Sequence, residues 1–407
     1  MFSLLQQVGP EVPLALVLLA LLGLRARVIP KVSLLVKAPA QRVWEQINPY
    51  DGKVDNFARS RMAMRLMDAA SQTYEVTWTA ALPNANARPF TASFRVAERE
   101  AERKLVLRRT GLEGKSERNE LLEIHYALQP ESAGTRLRTK YVWGSRTLLA
   151  QLLARADLWG GAYRLKALAE TGKPSDLPHQ LISAAVAFVT GIFTVLAFGL
   201  TVGMPVAIVL VFALLVHEFG HLLAFRMIGQ PWGRIVFLPF LGAMAVPRLH
   251  YETQAQSVFA ALMGPGFSCL LLFVCALGLQ INGIAALLFA AIGAVTAGLN
   301  LFNLLPTEPL DGGVALRSVL TRLIGSKAQA VLLALGAIMV AVGFYLGLLV
   351  LMVFGGFAIL GNLKTRKIDA GLTPLTSLQV CIAFFSYVAI GATHYTMLIH
   401  FMDQIKS

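Results

Sequence analysis

Residues 204–226 read MPVAIVLVFALLVHEFGHLLAFR, an apolar run of membrane-spanning length with two histidines and a glutamate near its end. No Asp, Glu, Lys or Arg occurs from Leu177 until Glu218 itself. A charged carboxylate in such a helix is costly, and ionisable residues at membrane depth persist where they pair, coordinate or line a wet cavity. The order His217-Glu218-Phe219-Gly220-His221 puts two imidazoles at i and i+4 on one helix face. That is the reach needed to hold one Zn²⁺, with the glutamate beside them as general base. A single metal ion accounts for all three residues.

Outward from this run, the chain of 407 residues is 56% hydrophobic and 14% charged, which excludes an ordinary soluble enzyme and indicates a polytopic membrane protein. Spans are read at 181–202, 204–226, 256–279, 284–305, 328–345, 347–363 and 376–401. The uncharged stretch Ala328–Leu363 is too long for one helix and is flanked by Lys327 and Lys364, so it reads as a hairpin. Arg226, Arg234, Arg248, Arg317, Arg322, Lys327, Lys364, Arg366 and Lys367 then fall on one side of the membrane, which the positive-inside rule makes cytoplasmic. At the N-terminus, Leu14–Leu24 is apolar and is followed, not preceded, by Arg25, Arg27 and Lys31. This is the wrong charge order for a signal peptide, and residues 1–28 read as a membrane anchor. The division expected is an anchor at 1–28, a soluble domain at 29–173, a membrane core at 177–367 and a C-terminal transmembrane helix at 368–407.

Residues 25–173 hold 26 of the 36 Lys and Arg but 15 of the 23 acids, hence most of the net charge of +13. With no helix-turn-helix, zinc finger or aromatic-basic pattern beside it, this charge speaks for membrane lipid and orientation, and no nucleic-acid partner is expected. Cys269, Cys275 and Cys381 all lie in apolar runs without a CxxC spacing and read as packing residues. Val32–Lys37 alternates as a strand, Pro39–Ile47 has helical spacing, and strands are expected at Tyr74–Thr79, Phe90–Val96, Lys104–Arg109, Leu121–Leu128 and Thr135–Trp143. A helix from Leu148 to Leu168 supplies the apolar stripe to cover them. This order, opening with KAPAQRVWEQI, resembles the START-like (polyketide-cyclase, helix-grip) superfamily over about 140 residues. The resemblance implies an α+β helix-grip domain with an apolar ligand between sheet and helix; a filled scaffold or substrate-docking domain is the alternative.

Two histidines leave a catalytic zinc site one protein ligand short. Asn303–Gly313 reads NLLPTEPLDGG at the end of a later span, and its Asp311 is the natural third ligand, with Glu308 the less favoured substitute. Together, HEFGH on one span and NLLPTEPLDGG on a later one resemble the site-2 protease family of intramembrane zinc metalloproteases, over roughly residues 181–363. The resemblance implies one Zn²⁺ per chain held by His217, His221 and Asp311, water activated by Glu218, and a substrate that is a membrane-anchored protein cut within or next to its transmembrane segment. Asn303 is a candidate catalytic donor to substrate backbone or oxyanion; its alternative role is to satisfy backbone groups freed near Pro306. Gly264-Pro265-Gly266 matches the family's Gly-Pro element, with Ser268 where many members have Asn, and Trp232–Val246 resembles its membrane-associated β-hairpin. His250 reads as a surface residue, His394 and His400 as lipid-interface or packing residues, and His125 as structural or cavity-lining. The fold class expected is a polytopic α-helical site-2 protease core joined to the helix-grip domain, in a bacterial inner membrane with that domain cytoplasmic and regulating access. A non-proteolytic receptor or lipid-binding protein with a silent metal site, and a lipid-processing hydrolase, stand as the other readings.

Overall fold

The computed structural model describes residues 24–57, 60–80, 90–111, 120–173, 175, 177–240, 242–249, 251–281, 283–308, 310–363 and 372–406. They form two compact units that meet in sequence between Val189 and Thr190. The N-terminal anchor lies outside the described residues up to position 23, and so does His250.

The first unit is built on strands β1 (Arg25–Val28), β2 (Lys31–Val36), β3 (Val54–Phe57), β4 (Ser60–Asp68), β5 (Thr73–Ala80), β6 (Phe90–Glu100), β7 (Lys104–Thr110), β8 (Leu121–Glu131) and β9 (Gly134–Thr147), with helices α1 (Ala40–Ile47) and α2 (Leu148–Thr171). All pairings are antiparallel, in the order β1-β9-β8-β7-β6-β5-β4-β3, and β2 shares the β9 edge with β1. One face of the sheet is apolar. Val32 and Leu34 on β2 pack against Leu158 and Ala162 of α2, and Leu105, Leu128 and Leu137 pack with Val43 and Ile47 of α1 and Ala169 of α2. Helix α2 starts where the Thr147 hydroxyl accepts the Ala150 N–H and stops at Gly172, whose φ of 72° suits glycine.

Three strands were not expected from the sequence. Arg25–Val28, assigned to the anchor, is a sheet strand paired with Trp143–Thr147. Strands β3 and β4 were missed because SRMAMRLMD is rich in Met and Arg, which favour helix; pairing with β5 overrides that local preference. His125 does not line a cavity. It sits on the opposite face of the sheet from α2, its Nε2 2.8 Å from Glu123 Oε2.

The second unit begins within α3 (Leu177–Val202) and continues through α4 (Met204–Met227), a hairpin of β10 (Arg234–Leu238) and β11 (Gly242–Val246), α5 (Gln254–Gly278), α6 (Ile284–Asn303), α7 (Asp311–Ile324), α8 (Lys327–Leu346), α9 (Leu349–Leu363) and α10 (Ser377–Lys406). Six of these, α3 to α6, α8 and α10, are long and apolar enough to cross a membrane. Their outward faces are apolar: Leu200, Ile284, Leu378 and Phe385 are each at least 69% exposed, which is costly in water and expected in lipid. The protein is therefore a multi-pass membrane protein.

The expected hairpin at Ala328–Leu363 is formed by α8 and α9, which approach so closely that a Cβ on Gly355 would stand 2.8 Å from the Gly336 carbonyl. Its second limb is shorter than expected: α9 has 15 residues, about 22 Å, against a hydrocarbon core of about 30 Å. Helix α10 was set apart as a separate C-terminal element, yet it packs into the unit. Val380 and Ala383 join Val258 and Leu262 of α5 and Ala315 and Val319 of α7, while the Phe401 ring fills the space beside Gly293 of α6. A parallel bridge between Thr253 and Thr373 ties the approaches to α5 and α10 together.

Candidate metal centre and active site

His217, Glu218 and His221 occupy the inward face of α4 and are 2%, 3% and 8% exposed. The helix can bring them against α5 because Gly220 lies on the same face, where any Cβ would strike the Met263 carbonyl. Opposite the histidines α5 presents Gly264, the position at which the helix leaves room: a Cβ there would stand 2.8 Å from His217 Nε2 and closer still to His221 Nε2 and Cε1. Asp311 arrives from the third side. It is not the end of the α6 span, as read from sequence, but the first residue of the short helix α7. The paired glycines lie in the first turn of α7, where a Cβ on Gly312 would collide with the Leu304 carbonyl and one on Gly313 with Thr307. They let that turn nest against the 304–308 segment, and a carboxylate at a helix N-terminus is favoured by the helix dipole.

The donor atoms converge. His217 Nε2 and His221 Nε2 are 3.1 Å apart, and Asp311 Oδ2 is 3.0 Å from the first and 3.4 Å from the second. Bonds of 2.0–2.1 Å at tetrahedral angles place donor atoms about 3.3 Å apart, so the triangle has the dimensions a zinc ion requires. The tautomers agree with this. His221 Nδ1 lies 2.7 Å from the Ala260 carbonyl, and His217 Nδ1 lies 2.7 Å from Asn300 Oδ1, whose amide is oriented by its Nδ2 donating to the Thr296 carbonyl. Both Nδ1 atoms therefore carry the proton, and both Nε2 lone pairs face one point. Two lone pairs and a carboxylate oxygen in this arrangement call for a cation between them.

Glu218 lies beside that point. The Ala245 N–H of β11 faces its carboxylate, and Oε2 is buried with no hydrogen-bond partner among the described residues. Asn303, the last residue of α6, places Nδ2 3.5 Å from His217 Nε2. Among the described residues it makes no hydrogen bond to the backbone around Pro306; the Leu304 carbonyl there accepts instead from the Tyr387 hydroxyl of α10. Glu308 is not at the centre. It is 3.1 Å from Arg317 Nη1, an ion pair that holds the 304–310 turn on α7.

Sequence reading missed Asn300 and left His394 open between a lipid-interface and a packing role. Asn300 is fully buried in an otherwise apolar helix and stands with Thr296 and Asn303 on one stripe, the signal that marks it in retrospect. His394 is not at a lipid interface: it is fully buried, with Nε2 2.9 Å from the Pro265 carbonyl. Ser268, the departure from the family pattern, is buried and donates to the Gly264 carbonyl at 3.0 Å. We expect Asn300→Leu to leave the His217 Nδ1–H without an acceptor and to weaken zinc binding by about 10–100-fold. A chelator competition on the purified protein measures this, and unchanged affinity would show that Asn300 does not position the ligand.

No family model matches the chain. A Synechocystis protein named "Putative zinc metalloprotease" is 31% identical over 168 residues, which are 38% of this chain and 43% of that protein. The chain thus matches under half the length of that relative. Among solved structures, the site-2 protease of Methanocaldococcus jannaschii aligns with 46% of this chain and 91% of its own, at 23% identity and a TM-score of 0.33. The chain is similar to the site-2 proteases. A polyketide-cyclase-like protein of Corynebacterium glutamicum aligns with 39% of the chain and 90% of its own length, at 15% identity and a TM-score of 0.21.

Proposed function

We propose that this protein is an intramembrane zinc metalloprotease that hydrolyses a peptide bond within or next to the transmembrane segment of a membrane-anchored substrate. The observation that carries the reading is the triangle of His217, His221 and Asp311 donor atoms at tetrahedral spacing, with the buried carboxylate of Glu218 beside it. Zinc, when bound by these three residues, supplies Lewis acidity toward water and the scissile carbonyl. Glu218 takes the proton from the attacking water and delivers it to the leaving amine as the C–N bond breaks. Asn303 directs its Nδ2 toward the same centre, from where it donates to the oxygen that gains charge. Strand β11 brings a backbone edge to the site at Ala245, beside which an unwound substrate segment can lie extended.

On this reading, burial keeps bulk water from the reacting groups, and the substrate helix must unwind before a carbonyl reaches them. The helix-grip domain regulates access through an apolar ligand from the cytoplasmic side of a bacterial inner membrane, an orientation that the excess of Lys and Arg between spans supports. A receptor with a silent site gives Glu218 no task, since a structural zinc needs no general base. The test is a comparison of membrane proteomes from cells expressing the wild type or Glu218→Gln. Single-span proteins that accumulate uncut and co-purify with the variant are the expected result; indistinguishable proteomes would favour the receptor.

A further inference from the structure

We infer that the sheet face of the first unit that α2 leaves uncovered docks on anionic lipid headgroups. The register places Lys31 of β2 directly opposite Lys140 of β9, Lys140 opposite His125 of β8, and Arg138 of β9 opposite Ser33. Two strands further on, Arg95 of β6 is directly opposite Arg108 of β7. Like charges in direct cross-strand register destabilise a sheet, so the fold gains nothing from either pair. Of the acids on this face, Glu123 is taken by Arg108 and His125, Glu98 by Lys104 and Glu131 by Arg136, and Glu75 of β5 lies directly opposite Arg65 of β4. Lys31, Arg95, Arg138 and Lys140 make no hydrogen bond or salt bridge among the described residues, and Arg138 feels Glu131 only at longer range. What this face lacks is a polyanion.

A lipid surface fits better than the alternatives. The neighbours of these cations on the same face are Ser33, Leu35, Ala127 and Gln129, with no aromatic ring on which a base could stack. The chain also limits how far the sheet can be from a bilayer. Only residues 172–179 separate the end of α2 from the first membrane-spanning stretch at Gln180, at most about 28 Å when fully extended. A basic domain tethered by so short a link meets anionic headgroups at high effective concentration, and each Lys or Arg adds its share once it comes within a Debye length of about 10 Å.

The experiment uses the full chain in lipid nanodiscs of phosphatidylcholine, with or without phosphatidylglycerol, and reads by mass spectrometry how fast an amine-reactive reagent modifies individual lysines. Lys166, on α2 and away from this face, normalises for reagent partitioning. Lys31 and Lys140 are expected to react severalfold more slowly in the phosphatidylglycerol discs, to recover at high salt, and to lose the protection in Arg95→Glu/Arg138→Glu. Equal rates in the two lipids would overturn the inference. So would protection that arises only on adding an oligonucleotide or a soluble acidic protein, which would transfer the face to that partner. Proteolysis is not read in this assay, so its outcome is independent of the proposed activity.

Discussion

Glu218→Gln is expected to retain one zinc per chain while cleavage falls by about 10²–10⁴-fold, the usual share of a positioned proton-transfer group. The amide keeps the shape of the carboxylate, so the packing of α4 against β11 survives. None of the three converging donor atoms belongs to this residue, so metal is held as before. His217→Ala and Asp311→Ala should behave differently and lose both metal and cleavage, because each removes one corner of the triangle. Elemental analysis of the purified proteins beside a cleavage assay separates the two classes. Full metal occupancy in either ligand variant would sink the assignment.

Gly264→Ala is expected to be as damaging as loss of a ligand, although it removes no functional group. In an ordinary helix the change would stabilise by about 1 kcal/mol, since alanine is the better helix former. Here the added methyl would stand 2.8 Å from His217 Nε2 and press on the His221 ring, occupying the space into which both lone pairs point. The expected result is a folded protein with little or no zinc and no cleavage, its helical content unchanged by circular dichroism. Normal zinc content in this variant would mean that the histidines turn to bind metal elsewhere, and the tetrahedral fit would be wrong.

The spans and the two motifs could be read from the chain because each rests on a strong local rule: length and polarity for the helices, i and i+4 spacing for the histidines. What could not be read were contacts between segments. Nothing in the sequence distinguishes a histidine facing lipid from one facing a neighbouring helix, so both roles stayed open for His394, and its bond to Pro265 decides for packing. Asn300 makes its contact across 83 residues of sequence, and Asp311 acquires its position from a 14-residue helix too short and too polar to stand out as a span. In the first unit the strongly alternating β8 was legible, whereas β1 and β4 owe their existence to their partners β9 and β5.

The hydrogen bonds from α10 bear on how the protein can be dissected. His394 serves the Pro265 carbonyl and Tyr387 the Leu304 carbonyl, one on each of the two elements that close around the ligands. A recombinant fragment ended before Ser377, at the boundary that hydropathy alone suggests, would remove both of these donors in a medium where water cannot replace them. The smallest piece of this membrane unit fit for crystallisation or assay therefore extends through Phe401, whose ring seats the helix against Gly293.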